Sequence, residues 1–99
     1  MDHKLEPTNG TAMGCRIGTA YCDRDMLRDL LGIEPNQGHP ASKVTIGWTF
    51  NSPRGPVEIR DYWWNAEDEW SIAAANWKAG LWLNKYLRTL GIKASLYGH

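Results

Sequence analysis

The chain has 99 residues, of which 42% are hydrophobic and 22% are charged, as is usual for one small globular domain. Eleven basic and eleven acidic side chains cancel, which argues against broad electrostatic binding to long nucleic acid but still allows a local basic patch. No apolar run approaches the roughly 20 residues that cross a bilayer. The polar first ten residues do not resemble a secretory signal, and two cysteines are too few for a disulfide framework. These features predict a reduced, cytoplasmic protein.

Tryptophan is the unusual component, with six residues against a single phenylalanine. Indole rings fill cores, but they are also enriched at interfaces and binding sites because they combine a large flat face with an N–H donor. Taken one at a time, Trp48, Trp63 and Trp70 are best interpreted as core residues of a small domain that needs bulk. Among all six, at least one pair is expected to line a pocket or a subunit interface.

The N-terminal part of the chain predicts an arm, a strand and a helix. Residues 1–11 are polar and are expected to form a mobile arm, followed by a single domain over residues 12–99. A short, glycine-containing first strand is predicted at about residues 12–18. The segment YCDRDMLRDLLG then predicts a helix that ends at Gly32. Its apolar stripe would consist of Met26, Leu27, Leu30 and Leu31.

The middle of the chain predicts a β-hairpin. KVTIGWTFN alternates apolar and polar residues, SPRG is typical of a tight turn, and PVEIRDYWW continues the alternation as the return strand. The alternation breaks at Asp61–Tyr62, which predicts a bulge, the end of the solvent-facing side, or cover from another element. WSIA is predicted to add a third antiparallel strand after the turn NAEDE.

The C-terminal part predicts a second helix, over residues 77–90, with Asn76 as its N-cap and Gly91 after its end. One apolar arc contains Ala79, Leu83, Tyr86, Leu87 and Leu90. Further apolar side chains lie outside this arc, which predicts a homo-oligomer with Trp77, Leu81 and Trp82 at its interface. IKASLY predicts a final edge strand. The fold class is therefore α+β: a small, mainly antiparallel sheet of about four or five strands with two helices packed on one face.

Dedicated catalysis has little support in the sequence. Glu67, Asp68 and Glu69 are consecutive, so they project in different directions and predict a solvated turn rather than an acid/base pair. Asp61 is the better acidic candidate because it follows a strand. The cysteines and histidines are scattered, and no zinc, phosphate-loop or nucleophile motif is present. We therefore predict no catalytic residues, no metal and no cofactor, and Cys22 is interpreted as a quiet thiol.

A binding site is better supported. Guanidinium and ammonium groups suit phosphate oxygens, aromatic rings stack on bases, and a carboxylate suits a ribose hydroxyl or holds an arginine. A few such groups on a neutral chain fit a small anionic nucleotide; a carbohydrate would leave the arginines unexplained. The predicted ligand site consists of Arg54, Arg60, Asp61, Tyr62, Trp63, Trp64 and Lys78.

The order of several motifs resembles that of a group of small proteins encoded by bacteriophages and prophages. The resemblance covers roughly residues 14–90 and rests on KV…W-T-F, then V-E-I-R-D-Y-W, then W-S-I-A-A before a terminal helix. The chain departs from the group at Ala73–Ala74, where glycines are usual, and at Tyr62–Trp63, where one aromatic residue stands. The resemblance implies a non-enzymatic accessory protein acting against host immunity.

The leading functional prediction is a homo-oligomeric phage counter-defence protein in the host bacterial cytoplasm. It would act as a sponge that binds and sequesters a nucleotide-derived immune signal of the cyclic dinucleotide or cyclic ADP-ribose type. One alternative is an inhibitor that covers a host defence protein or nuclease through an aromatic surface. Another is an enzyme that degrades such a nucleotide, with Asp61 or His39 as the acid or base.

Overall fold

The computed structural model describes residues 6–7, 16–36, 44–62 and 65–97. The elements in these ranges are β1 (Glu6–Pro7), β2 (Arg16–Tyr21), α1 (Arg24–Leu31), β3 (Val44–Ser52), β4 (Gly55–Tyr62), β5 (Glu69–Ala74), α2 (Trp77–Thr89) and β6 (Lys93–Leu96). All strand pairs among them are antiparallel, and the sheet order is β1-β3-β4-β5-β2-β6. Five full strands and two helices confirm the predicted α+β class.

The predicted hairpin is formed by β3 and β4, which pair from Ser52 opposite Gly55 back to Val44 opposite Tyr62. Ser52 closes the turn, because its Oγ accepts from the Arg54 N–H at 3.1 Å and donates to the Gly55 carbonyl at 2.7 Å. Gly55 has a φ of 125°, a backbone conformation that residues with a side chain rarely adopt. The turn therefore has a defined conformation that fixes the backbone of Arg54.

The irregularity predicted near Asp61–Tyr62 is present, but the extra residue lies in the partner strand. The register shifts between Val44 and Ile46 of β3, opposite Asp61 and Tyr62 of β4. On its other side, β4 pairs with β5, the strand predicted from WSIA. The predicted final edge strand is also confirmed, since β6 lies at the edge of the sheet beside β2.

The start of the chain differs from the prediction in two places. β2 extends through Tyr21, which the sequence pattern assigned to the first helix, and residues 12–15 lie outside the described residues. The helix begins later because Asp23 is its N-cap, with a carboxylate oxygen that accepts two backbone N–H groups at 3.1 Å. From the predicted arm, the structure describes Glu6–Pro7, which pair with β3.

The predicted stripe of α1 is only partly correct. Leu27 and Leu31 are buried and Leu30 packs partly against the core, whereas Met26 is exposed. Burial of Leu27 and Leu31, four residues apart, orients the helix and leaves Met26 beyond the edge of its buried side. The helix ends at Gly32, whose φ of 74° is left-handed, as expected for a residue in this position.

The core lies between one side of the sheet and the two helices. Trp48 and Phe50 of β3 face Ile59 and Val57 of β4, and all four side chains are fully buried. The arc predicted for α2 packs on them: Ala79, Leu83, Tyr86 and Leu87 are buried, and Leu90 is partly buried. Burial of this side of the sheet accounts for the period-two pattern of the sequence.

Two tryptophans are confirmed as core residues. The rings of Trp48 and Trp70 lie 5.3 Å apart, centroid to centroid, at 59°. Each indole N–H has a backbone partner: Trp48 donates to the Ile33 carbonyl at 3.0 Å, and Trp70 donates to the Cys22 carbonyl at 2.8 Å. The polar N–H groups of both rings are therefore hydrogen-bonded inside the protein. Trp63 lies outside the described residues.

The opposite side of the sheet is polar but is also buried. Thr19, Thr49, Glu58 and Ser71 lie on this side, and each is at most 5% exposed. Arg60, two residues beyond Glu58 on β4, forms an ion pair with it at 3.3 Å from Nε to Oε2. This side is therefore not an open platform for a ligand at Glu58. No helix in the described part of the chain is long and apolar enough to cross a membrane.

Candidate functional site

The structure divides the predicted ligand site between the two ends of β4. Arg54 precedes the strand and Asp61–Tyr62 end it, which places them roughly 20 Å apart at about 3.3 Å per residue. Lys78, near the start of α2, lies with Arg54. One small ligand cannot contact both ends. Trp63 and Trp64 lie outside the described residues.

At the first end of β4, three basic side chains surround an apolar strip. We call this feature the basic groove. It has a volume of about 330 Å³ and is lined by Arg54, Lys78, Leu81, Trp82 and Lys85. Lys78 and Lys85 are two helical turns apart on α2, roughly 10 Å along its axis. A cation therefore stands near either end of the Leu81–Trp82 strip, and Arg54 adds a third from the hairpin turn.

Asn76 connects the two segments that form the groove. Its Oδ1 accepts from the Ala79 N–H at 2.8 Å and caps α2, while its Nδ2 donates to the Arg54 carbonyl at 3.1 Å. The same side chain thus starts the helix and holds the hairpin turn against it. This connection places Arg54 beside Lys78, although 23 residues separate them in sequence.

The aromatic wall of the groove is held by a ring stack. Trp82 lies against Tyr86, one turn further along α2, with centroids 5.0 Å apart and ring planes 8° apart. Tyr86 is buried, and burial raises its pKa, so the phenol stays neutral in the physiological range. Trp82 is partly buried, which is compatible with a wall residue that also contacts the core.

No acidic side chain in the described part of the chain balances the charges of the groove. Arg54, Lys78 and Lys85 are exposed, and none forms an ion pair with a residue in the described part of the chain. The groove lining contains no carboxylate, and the first turn of α2 contains no acidic residue. Three unpaired positive charges around one apolar strip favour a bound anion that also carries an apolar or aromatic part.

The other end of β4 carries the opposite charge. A cleft of about 480 Å³, the acidic cleft, is lined by Asp23, Arg24, Asp25, Asp61, Tyr62, Asn65, Ala66, Glu67, Asp68, Glu69 and Trp70. Six carboxylates in this lining face a single arginine. Among the described residues, no group of three or more His, Cys, Asp and Glu side chains is arranged to hold a metal ion. The negative charge of the cleft disfavours an anion, whereas the three cations of the basic groove favour one.

The predicted site residues Arg60, Asp61 and Tyr62 belong to this acidic end. Asp61 and Tyr62 line the cleft itself. The Arg60 guanidinium lies over the Tyr62 ring, 5.4 Å from its centroid, and pairs with Glu58 on the polar side of the sheet. Because Glu58 already provides a carboxylate, Arg60 is less suited to binding phosphate than Arg54.

The acidic turn between β4 and β5 has the solvated character that its sequence predicts. Glu67 and Asp68 are exposed, and Asp68 has a φ of 63°. Glu69 closes the turn, because its Oε1 accepts from the Ala66 N–H at 3.3 Å and its backbone N–H donates to the Ala66 carbonyl at 3.1 Å. These contacts fix the turn without using the Glu67 or Asp68 carboxylate.

The predicted interface residues lie on the same part of α2 as the basic groove. Leu81 and Trp82 line the groove, and Trp77, at the start of the helix, is 44% exposed. Lys85 is a groove residue that the sequence prediction missed. Its position seven residues after Lys78 was the available signal, since this spacing puts both cations along one face of a helix.

The thiol of Cys22 is unsuited to nucleophilic chemistry. Cys22 is buried in the core at the start of α1, and its N–H donates to the Asp68 carbonyl at 3.0 Å. Burial, followed by the nearby charges of Asp23 and Asp68, raises the pKa of this thiol above its ordinary value. Nucleophilic cysteines need the opposite shift. Cys15 and His39 lie outside the described residues.

Comparison with known proteins returns no relative. No protein-family model matches the chain, no curated protein matches it, and no solved structure matches it. The resemblance to phage-encoded accessory proteins therefore rests on motif order alone.

Proposed function

We propose that this protein binds a small nucleotide-derived anion in the basic groove and does not transform it. The observation that carries the proposal is the convergence of Arg54, Lys78 and Lys85, all without an ion-pair partner in the described structure, around the indole of Trp82. Phosphate and an aromatic base are the two ligand parts that such a combination suits.

Each part of the proposed ligand has a matching element in the groove. The Arg54 guanidinium can donate two parallel hydrogen bonds to a phosphate, and the two lysines add point charges at either end of the helix segment. A base that contacts Trp82 gains about 1–3 kcal/mol from stacking. The ring of Tyr86 behind Trp82 limits the conformational entropy that the indole loses on binding.

The proposed site keeps part of the sequence prediction and changes the rest. Arg54 and Lys78 remain phosphate ligands, and Lys85 joins them. Trp82 takes the stacking role that the sequence assigned to Trp63 or Trp64. Arg60, Asp61 and Tyr62 do not contact this ligand, because they lie at the other end of β4.

Sequestration fits the groove better than catalysis does. Among the described residues, the groove lining provides cations and apolar groups but no carboxylate, imidazole or thiol that would serve as a general acid, base or nucleophile. With the motif resemblance to phage-encoded proteins, this composition supports a counter-defence sponge that lowers the free concentration of a nucleotide immune signal. Its place of action would then be the cytoplasm of the bacterial host.

Isothermal titration against cyclic dinucleotides and cyclic ADP-ribose isomers tests the proposal. We expect a nucleotide to bind to the wild type, and binding to weaken at least tenfold in the variant K78Q/K85Q. The control variant K93Q removes an exposed lysine on β6, outside the groove, and should bind as the wild type does. Unchanged nucleotide recovered after heat denaturation of the complex would exclude degradation. A folded protein that binds none of these nucleotides would refute the proposed function.

A second candidate function is inhibition of a host defence protein or nuclease by direct contact. The exposed ring of Trp77 next to the basic groove favours it, because exposed tryptophans with neighbouring cations are common at interface hot spots. A stoichiometric partner captured from bacterial lysate by the wild type, and lost in the variant W77A, would support this function. It would replace the first candidate if no nucleotide binds.

A further inference from the structure

The exposed acidic turn and the basic groove are complementary surfaces on one molecule. Glu67 and Asp68 stand at the tip of the turn and, like the three groove cations, form no ion pair with a described residue. The turn needs no ordering before it can dock, because contacts between Asn65, Ala66 and Glu69 already close it. Its two carboxylates could therefore bind a cationic site at low entropic cost.

The two surfaces cannot meet within one copy. The groove lies where β4 begins and the turn lies beyond its end, roughly 20 Å away. A contact between them must therefore join two copies, either head to tail in a ring or chain, or reciprocally across a two-fold axis that brings each groove to the turn of the other copy. A two-fold contact through α2 would instead place three cations against three cations, which is unfavourable.

We infer that the basic groove also receives the Glu67–Asp68 turn of a second copy, so that groove-to-turn self-association and anion binding exclude one another. The occupant is a second copy because its turn supplies paired carboxylates to a groove whose cations lack acidic partners in the described structure. The exclusion rests on the proposed function, since it requires the nucleotide to use the same cations. The self-association does not rest on it.

Sedimentation velocity over a range of protein concentrations tests the self-association. In low salt, the wild type should sediment above its monomer mass of 11.2 kDa, and salt should shift it toward monomer because exposed charges are screened. The variant E67Q/D68N, and separately K78Q/K85Q, should associate at least tenfold more weakly. Asparagine tolerates the left-handed backbone at position 68, so the turn is preserved.

Two further samples distinguish a specific contact from general charge effects. The control variant D29N/E34Q removes two exposed carboxylates elsewhere and should associate as the wild type does. The variants E67K/D68K and K78E/K85E should each associate weakly alone and recover association when mixed, because the basic turn of one then matches the acidic groove of the other. A wild type that is monomeric throughout, or an E67Q/D68N variant that associates normally, would overturn the inference.

Nucleotide competition separates this inference from the proposed function. Cyclic di-GMP or cyclic ADP-ribose, whichever binds in the titrations, should dissociate the wild-type assembly, and E67Q/D68N should bind it at least as tightly as the wild type. Turn-dependent association without nucleotide binding would refute the proposed function and leave the groove-to-turn contact standing. Nucleotide binding by a protein that never associates would refute only the contact, and an assembly that keeps its size with nucleotide bound would refute the exclusion.

Discussion

The two ends of β4 use the same kinds of residue for different purposes. At the acidic end, Trp70 is 3% exposed and its N–H is bonded to the backbone of Cys22, so the ring is part of the core. At the basic end, Trp82 lines a surface groove between cations. The comparison shows that a chain with a net charge of zero can carry two local surfaces of opposite charge. Neutrality therefore argues against broad binding to a polyanion but leaves a local anion site possible.

The largest expected effect is the loss of stability at the acidic end. The variant W70A should lower the free energy of unfolding by about 3–5 kcal/mol, because it leaves a cavity beside Trp48 and an unpaired Cys22 carbonyl. Urea denaturation followed by circular dichroism measures this change. W77A, which removes an exposed ring, is the control and should change stability by less than about 1 kcal/mol. Similar losses in both would contradict the assignment of Trp70 to the core.

The next effect is on binding at the basic end. The variant W82A should weaken nucleotide binding by about 1–3 kcal/mol, because it removes the surface on which a base would stack. The W82F variant keeps an aromatic ring above Tyr86 and should retain more of the affinity. Isothermal titration measures both. Equal affinities for W82A and the wild type would exclude Trp82 from the site and remove the functional difference between the two ends.

A smaller effect is expected from the residue that joins the hairpin turn to α2. The variant N76A should lose about 1 kcal/mol of stability as a helix cap, and it should also weaken binding by releasing the Arg54 carbonyl. N76S keeps an N-cap oxygen but lacks the amide N–H donor. It should therefore approach the stability of the wild type in urea while still binding nucleotide more weakly. Normal binding by N76S would show that the link to Arg54 does not position the groove.

The smallest effect concerns alkaline pH, and it again separates the two ends. Burial raises the pKa of Cys22 at the acidic end and of Tyr86 at the basic end. A pKa that is higher in the folded state contributes stability below the unfolded value and loses it as pH rises through the folded value. Stability should therefore begin to fall above about pH 9 through Cys22 and above about pH 10 through Tyr86.

Chemical denaturation between pH 7 and pH 11 measures this decline. The variant C22A should remove its earlier part, and Y86F should remove its later part. A C22A profile identical in shape to that of the wild type would mean that the Cys22 pKa is the same in the folded and unfolded states.

Much of the fold was predictable because its signals are local. The alternation through Trp48 and Phe50 predicts a strand with one buried side, and Asn76 and Gly32 mark helix ends by their own capping chemistry. The position of β2 between β5 and β6 was not predictable, because it depends on pairing between distant segments. The burial of Glu58 was not predictable for a related reason. Its place in the polar phase of β4 suggests solvent, yet it is 2% exposed.

The residues of the basic groove were only partly predictable, for the same physical reason. The sequence predicts Arg54 and Lys78 as phosphate ligands because of their positive charge. Nothing in the order of the residues shows that they lie far from Arg60 and Asp61. Their separation follows from the direction of β4 and from the Asn76 side chain that holds the turn to the helix. Lys85 lies outside the aromatic run at Asp61–Trp70, and only its spacing of seven residues from Lys78 on α2 relates it to the groove.

The hydrogen bond from Asn76 to the Arg54 carbonyl couples binding of the proposed nucleotide to folding. The two segments of the groove meet only when the hairpin and α2 are packed together, so the unfolded chain contains no equivalent site. A nucleotide at 100 times its Kd would therefore stabilise the native state by about 2.7 kcal/mol. In a cell, the occupied protein would resist proteolysis longer than the empty one, and an abundant signal would prolong the lifetime of the protein that captures it.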